Sequence, residues 1–260
     1  MGKPLISIVN SSTFGKYFKE HIEGLRQIAD LRTIQVQQDA SPDLLAEKIG
    51  TSDGIIASVT PKFLRQTLEK CKNLILLSRH GIGCDNVDLQ AATEQGILVS
   101  RVKGIVERES VAEYAVALLL AASRLVPHGY VAVKSSRWLE RSKMIGMELR
   151  GKTIGIIGLG NIGSRSAEIL FNGFNADIIA TDPYIPKERF RQYNTTEVSL
   201  AELVRYSDAI LFHCPLTDET RRMIGKTELE QMKKHVIIVN TCRGELLDET
   251  ELYHGLRHNR

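Results

Sequence analysis

Apolar positions along the chain fall into two kinds of run. Stretches such as Leu5-Ile-Ser-Ile-Val, Gly54-Ile-Ile-Ala-Ser and Thr153-Ile-Gly-Ile-Ile are short, rich in β-branched residues and bounded by polar residues or glycine, as strands buried on both faces are. Between them the segments read as helices, with apolar residues gathered on one face. In the first half this predicts strands at 5–9, 33–36, 54–58, 74–78 and 96–99. Helices are expected at 15–29, 43–49, 61–70, with proline in its first turn, and 88–95. Alternation of strand and helix implies a parallel sheet with helices on both faces.

Two helices follow. The first, 109–126, places Val111, Tyr114, Ala115, Leu118, Leu119 and Ala122 on one stripe, with apolar residues spilling round most of its circumference. It is expected to be buried between layers or at a subunit contact, with Pro127 ending it. A second helix runs to about residue 143 and Gly151 leads into the strand 153–157. Beyond a second strand ending at Asp182, the pattern predicts a helix at 198–206 and a strand at 208–212 running into His213-Cys214-Pro215. A helix at 226–232, a strand at 236–240 and a last helix capped by Asp248 follow, with Glu251 in capping-box position. No internal repeat and no low-complexity linker interrupts this order.

The stretch from Lys152 to Asp182 carries the clearest chemistry. Gly158 can take a tight turn, Gly160 lets the backbone approach a pyrophosphate with no Cβ in the way, and Gly163 lets the next helix pack close to the strand. That helix, starting near Asn161, points its unpaired N–H groups and positive dipole end at the phosphates. Asp182, closing the second strand, can accept hydrogen bonds from a ribose diol. It favours NAD, because a 2′-phosphate would be repelled and Pro183 and Tyr184 supply no cation to hold one.

Composition narrows the rest. The 260 residues suffice for two domains, and 43% apolar with 25% charged residues is the balance of a globular protein. A net charge of +3, with Arg137, Arg141 and Lys143 interleaved with Glu140, gives no footprint for nucleic acid or an anionic membrane. The longest apolar run, 115–122, is too short to span a bilayer, and no signal-peptide pattern opens the chain. Cys71, Cys84, Cys214 and Cys242 form no CxxC pair and read as reduced thiols in the cytoplasm, without a disulfide framework or a metal site.

Five motifs, Arg79-His-Gly-Ile-Gly-Cys-Asp-Asn-Val-Asp, Gly158-Leu-Gly-Asn-Ile-Gly, Asp182-Pro-Tyr, His213-Cys-Pro-Leu-Thr and Asn240-Thr-Cys-Arg-Gly-Glu-Leu, together resemble the D-isomer-specific 2-hydroxyacid dehydrogenases. The resemblance covers essentially the whole chain. It implies an α/β fold of two doubly wound parallel-sheet domains. A flavodoxin-like substrate domain would occupy 1–101 and a Rossmann NAD-binding domain, incomplete at its C-terminus, 102–260, with substrate in the cleft between them. It further implies hydride transfer between NAD and C2 of a 2-hydroxy or 2-oxo acid. Arg243 matches the catalytic arginine, whose fork suits a carboxylate and the oxygen at C2. Gly81, Ile82 and Gly83 match the loop whose backbone N–H groups bind the substrate carboxylate. Asn161 and Ile162 would offer amides to the pyrophosphate, Cys214 would lie along the cofactor, and Thr241 and Cys242 would face the nicotinamide. A nucleophilic Cys242 is the rival reading, but no base is placed beside it.

This chain departs from the family pattern in two places. The family's glutamate and histidine, a paired general acid/base, would lie beyond Arg260, so the 260 residues are expected to be part of a longer enzyme with an open sheet edge. Neither His213, on the cofactor side, nor His80, beside the carboxylate loop, obviously substitutes. His254 and His258 share a helix face without a third ligand and read as solvated. Trp138-Leu-Glu-Arg and Gly146-Met-Glu-Leu-Arg-Gly-Lys are similar to phosphoglycerate dehydrogenases, yet Ala57 stands where those enzymes carry an arginine for the substrate phosphate. Arg79 and Arg124 are the candidates to compensate. The segment 102–110 also lacks the proline and asparagine often found there. Phosphoglycerate, glycerate or hydroxypyruvate, glyoxylate and a lactate-like acid all stay open. A homodimer through helix 109–126 is expected. A non-catalytic NAD-sensing protein, corepressor-like on the same fold, is the alternative from another class, against which the retained Arg243 and carboxylate loop weigh.

Overall fold

The computed structural model describes residues 2–258. The chain divides into two compact units, Met1–Lys103 and Gly104–Arg260.

The first unit is a parallel sheet of five strands, β1 (Leu5–Val9), β2 (Asp30–Ile34), β3 (Gly54–Ala57), β4 (Leu76–Arg79) and β5 (Leu98–Arg101), in the order β2-β1-β3-β4-β5. Helices α1 (Lys19–Ile28), α2 (Pro42–Ile49), α3 (Arg65–Leu68) and α4 (Leu89–Glu94) connect them. Val9, Leu45, Ile49, Ile55, Phe63, Leu68 and Leu77 form the core. Ser7, buried mid-strand, is satisfied by Ser52 Oγ at 2.7 Å and by the Arg32 guanidinium.

Boundaries differ from the sequence pattern in several places, and four of the shifts have a visible cause. β2 starts at Asp30, because pairing from Leu5↔Asp30 to Val9↔Ile34 sets its register, while the N–H of Val36 goes to Asn10 Oδ1 at 2.9 Å. α1 starts at Lys19, since Gly15 turns at φ +70°. Instead of a helix over 61–70, residues after the cis Thr60–Pro61 bond form a parallel bridge between Phe63 and Val87, which buries Phe63 and leaves only a four-residue α3. β5 begins at Leu98, after Gly96 turns at φ +70°.

The second unit repeats the architecture with β6 (Thr153–Ile157), β7 (Asp177–Thr181), β8 (Thr195–Glu197), β9 (Ala209–Phe212) and β10 (Ile237–Asn240), all parallel, in the order β10-β9-β6-β7-β8. Its helices are α5 (Arg108–Ser123), α6 (Val126–Lys134), α7 (Asn161–Phe174), α8 (Lys187–Gln192), α9 (Leu200–Tyr206), α10 (Lys226–Gln231) and α11 (Glu249–Arg257). The winding reverses between β6 and β9, so their carboxyl ends flank the crevice where such sheets bind ligands. Along the outer edge of β10 runs a groove of about 930 Å³ lined by Leu229, Met232, Val236, Ile238, Leu252 and Leu256.

α5 buries Ala112, Ala115, Val116 and Leu119, whereas Tyr114, assigned to its buried stripe by the sequence pattern, is 61% exposed. Leu125 at φ 55° breaks the chain after α5, and Pro127 sits in the first turn of α6, where its missing N–H costs nothing. The segment α8–β8 escapes periodicity, having one buried apolar anchor, Phe190, among charged and polar residues. Asp248 caps α11 by accepting from Thr250 and Glu251 N–H, but its own N–H goes to the Ile224 carbonyl at 2.9 Å, so the return half of the capping box is not made. No single described helix is long and apolar enough to cross a membrane.

Candidate active site

Gly158 turns at φ +92°, and a Cβ there would stand 2.8 Å from the backbone of His213 and Cys214. At Gly163 a Cβ would stand 2.0 Å from the Gly158 carbonyl oxygen, so α7 packs against the turn only because no side chain intervenes. Gly160 is different: a Cβ there meets nothing within 4 Å, so the fold leaves space that a ligand can fill. Gly160 is also the N-cap of α7 and no side chain caps that helix. The N–H groups of Asn161, Ile162 and Gly163 are thus left for an anion.

Asp182 is fixed beneath this turn. Oδ2 accepts from Leu159 N–H at 2.9 Å and Oδ1 from Tyr184 N–H at 3.0 Å. A carboxylate accepts about four hydrogen bonds, so lone pairs remain for a ribose diol. Tyr184 in turn donates its hydroxyl to Glu219, which pushes the phenol pKa up. The cradle, open N–H groups and anchored carboxylate fit NAD.

The ends of β9 and β10 complete the site. His213 Nε2 meets Ser166 Oγ at 2.9 Å, and burial pushes its pKa down to about 4, so the ring is neutral at neutral pH. Cys214 is pushed up to about 11 by burial. Burial, the neighbouring Cys214 thiol and a partial offset from Arg243 put Cys242 at about 12, and its Sγ donates to the Phe212 carbonyl at 3.1 Å. Cys242 is therefore a packed thiol and not an activated nucleophile. The Oγ1 of Thr241 is buried. Asn240 closes the turn that follows: Oδ1 accepts from Cys242 N–H at 2.9 Å, and Nδ2 donates to the Arg243 carbonyl at 2.7 Å. Arg243, half-buried, is thereby held at the carboxyl end of the same sheet as the glycine turn, with Nη1 donating to the Cys242 carbonyl at 3.0 Å.

In the first unit, Gly81, Ile82 and Gly83 follow β4. Arg79 is 3% exposed, and its guanidinium lies under the loop, donating to the carbonyls of His80 at 2.6 Å and Ala57 at 3.4 Å. Gly81 is required by that position, at φ +149° with Arg79 Nη1 only 2.9 Å from where a Cβ would be. Its N–H is already bonded to the Arg79 carbonyl at 2.9 Å, which leaves Ile82 and Gly83 N–H to meet a carboxylate. Arg79 therefore does not stand in for a phosphate-binding arginine. Ala57 is fully buried, and Arg124 lies in the other unit as the C-cap of α5. His80 is exposed, with Nδ1 3.4 Å from Ser11 Oγ and Phe14 edge-on to its ring.

Sequence reasoning missed Asn240 as the staple of the arginine turn, and Ser166 and Glu219 as partners of His213 and Tyr184. An asparagine closing a strand three residues before an arginine is a readable signal. The other two pairings join residues 47 and 35 positions apart and carry none.

Residues 116–260 match the family model of the D-isomer specific 2-hydroxyacid dehydrogenase, NAD binding domain. A D-3-phosphoglycerate dehydrogenase of Methanocaldococcus jannaschii is 37% identical over 241 residues, 92% of this chain and 45% of that protein. A glyoxylate reductase of Aeropyrum pernix is 36% identical over 246 residues, 92% of this chain and 73% of that protein. The chain thus spans less than half the length of the phosphoglycerate dehydrogenases it matches. Among solved structures, D-lactate dehydrogenase from Aquifex aeolicus, complexed with NAD and lactic acid, superposes with a TM-score of 0.83 at 26% identity, covering 98% of this chain and 74% of that one.

Proposed function

The chain belongs to the D-isomer-specific 2-hydroxyacid dehydrogenase family, and on that premise we propose that it serves an NAD-dependent oxidoreductase interconverting a D-2-hydroxy acid and its 2-oxo acid. The observation that carries this reading is the Asn240-stapled turn, which holds Arg243 at the carboxyl end of the sheet whose first turn is the glycine cradle. When bound, NADH would supply the hydride for C2, with the proton that completes the hydroxyl taken from water. Arg243 holds the acid and polarises its C2 oxygen, where negative charge grows as the carbonyl is reduced. Asn161 and Ile162 bind the pyrophosphate, and in the first unit Ile82 and Gly83 offer N–H groups suited to a carboxylate. Asp182 takes the ribose diol, and the neutral walls of Cys214, Thr241 and Cys242 exclude water from the ring.

The substrate we assign is unphosphorylated, of the glyoxylate, hydroxypyruvate or lactate type. Ala57 is buried in the core and Arg79 is committed to backbone carbonyls, so neither supplies a cation for a phosphate. We place the protein in the cytoplasm, where its cysteines stay reduced, and as a homodimer through helix α5, whose Tyr114 is exposed.

The test is NADH-dependent reduction of a panel of 2-oxo acids by the enzyme this chain serves, unaltered and as Arg243→Gln. Turnover of glyoxylate or hydroxypyruvate in preference to phosphohydroxypyruvate is expected, with a loss on the order of 10²-fold or more in kcat for the variant. Activity indifferent to the substitution, or confined to the phosphorylated acid, would sink the assignment.

A further inference from the structure

Leu159, inside the glycine turn, is held from two directions. Its N–H donates to Asp182 Oδ2 at 2.9 Å, and its carbonyl accepts from Arg189 Nε at 3.2 Å. Arg189 Nη2 also reaches Ser164 Oγ at 3.4 Å, and that hydroxyl donates to the Asn161 carbonyl at 3.1 Å. One guanidinium therefore ties the turn to the first turn of α7. The arginine stands on a fixed support. Phe190 beside it is buried in the core, and the Tyr193 ring lies 5.4 Å from the guanidinium carbon. The Leu159 side chain is itself fully buried, so its peptides cannot rotate without disturbing the core. A planar fork can hold two acceptors in different directions from one stem, which a single ammonium cannot do with the same geometry. A cation on the Leu159 carbonyl also polarises the peptide whose N–H belongs to Gly160, strengthening it as a donor.

We propose that Arg189 is a positioning residue for the dinucleotide. By fixing the Leu159 peptides it holds the Asp182 carboxylate and the amino end of α7 in the mutual geometry that a ribose and a pyrophosphate require. The inference rests on the NAD reading of this site. It adds to that reading a residue from α8, outside every motif that marks the glycine turn.

The experiment measures NADH dissociation constants by fluorescence titration, with thermal unfolding in parallel, for the wild type, Arg189→Ala, Asp182→Ala and the double variant. Arg189→Ala, which loses the bonds to both Leu159 and Ser164, is expected to bind NADH about tenfold more weakly. In the Asp182→Ala background the further loss from Arg189→Ala is expected to be smaller than in the wild type, because part of its effect runs through the carboxylate that Leu159 holds. An Arg189→Ala affinity within twofold of wild type, or two losses that multiply in the double variant, overturns the proposal. Should Arg189→Ala fail to fold, Ser164→Ala removes one of the two contacts. A loss of about threefold supports the role and an unchanged affinity overturns it. A wild type that binds no NADH at all overturns the cofactor reading together with this one.

Discussion

Both units are five-stranded parallel sheets, but the first winds β2-β1-β3-β4-β5, reversing between its first and third strands, whereas the second winds β10-β9-β6-β7-β8, reversing between its first and fourth, and they treat their carboxyl ends differently. In the second, β6 passes straight through Gly158–Gly160 into α7, so the helix presents open N–H groups to an anion. In the first, a loop from Asn10 to Phe18 separates β1 from α1, and Asn10 is spent on Val36 and Thr60. There the open N–H groups come from the loop after β4, braced from below by the buried Arg79. A doubly wound sheet fixes where a site can form, but the length of its first connection decides whether a helix dipole is available to it. One unit offers a helix end, the other a loop stiffened by a guanidinium.

The glycine turn gives the sharpest way to break this contrast. Gly163→Ala would force a methyl to 2.0 Å from a carbonyl oxygen and is expected to cost about 3 kcal/mol or more in urea unfolding. Gly160→Ala meets nothing in the protein, so it should keep wild-type stability and lose NADH affinity about tenfold. Equal destabilisation by both would erase the distinction between a packing glycine and a ligand-facing one.

His213 comes next. Burial lowers its pKa from 6.5 to about 4, so an unfolded chain takes up a proton in a range where the folded one refuses it. The group leaves stability untouched above pH 6.5 and withdraws up to about 3 kcal/mol as pH falls toward 4. Unfolding of His213→Asn at pH 7 and pH 4.5 should show a smaller acid loss than the wild type, and an identical loss would contradict the burial argument. A smaller effect belongs to the first unit. Arg79→Met removes donors from the His80 and Ala57 carbonyls and should cost about 2 kcal/mol, with NADH affinity unchanged. Weaker NADH binding by that variant would contradict a role for Arg79 confined to its own loop.

Much of this was legible in the sequence, because the signals were local. The strand 153–157, the three glycines and Asp182 sit within one stretch, and their spacing alone implies the turn that the structure contains. What escaped was set by partners distant in sequence. Phe63 leaves its helical pattern to bridge Val87, and β2 takes its register from β1 against its own apolar run. α8 buries one residue and so has no period to detect, though it delivers Arg189 to the glycine turn. Arg79 reads as a spare cation in sequence and is instead a buried brace, which only the position of Gly81 reveals.

If the second unit holds a dinucleotide by its ribose diol, Asp182 is the residue that selects NADH over NADPH. Parallel titrations of the wild type and Asp182→Ala with NADH and NADPH test it most directly. The wild type should bind NADH at least about tenfold more tightly than NADPH, and the variant should lose most of that preference. A wild type that binds NADPH as tightly as NADH, or a variant that keeps the preference, would contradict it.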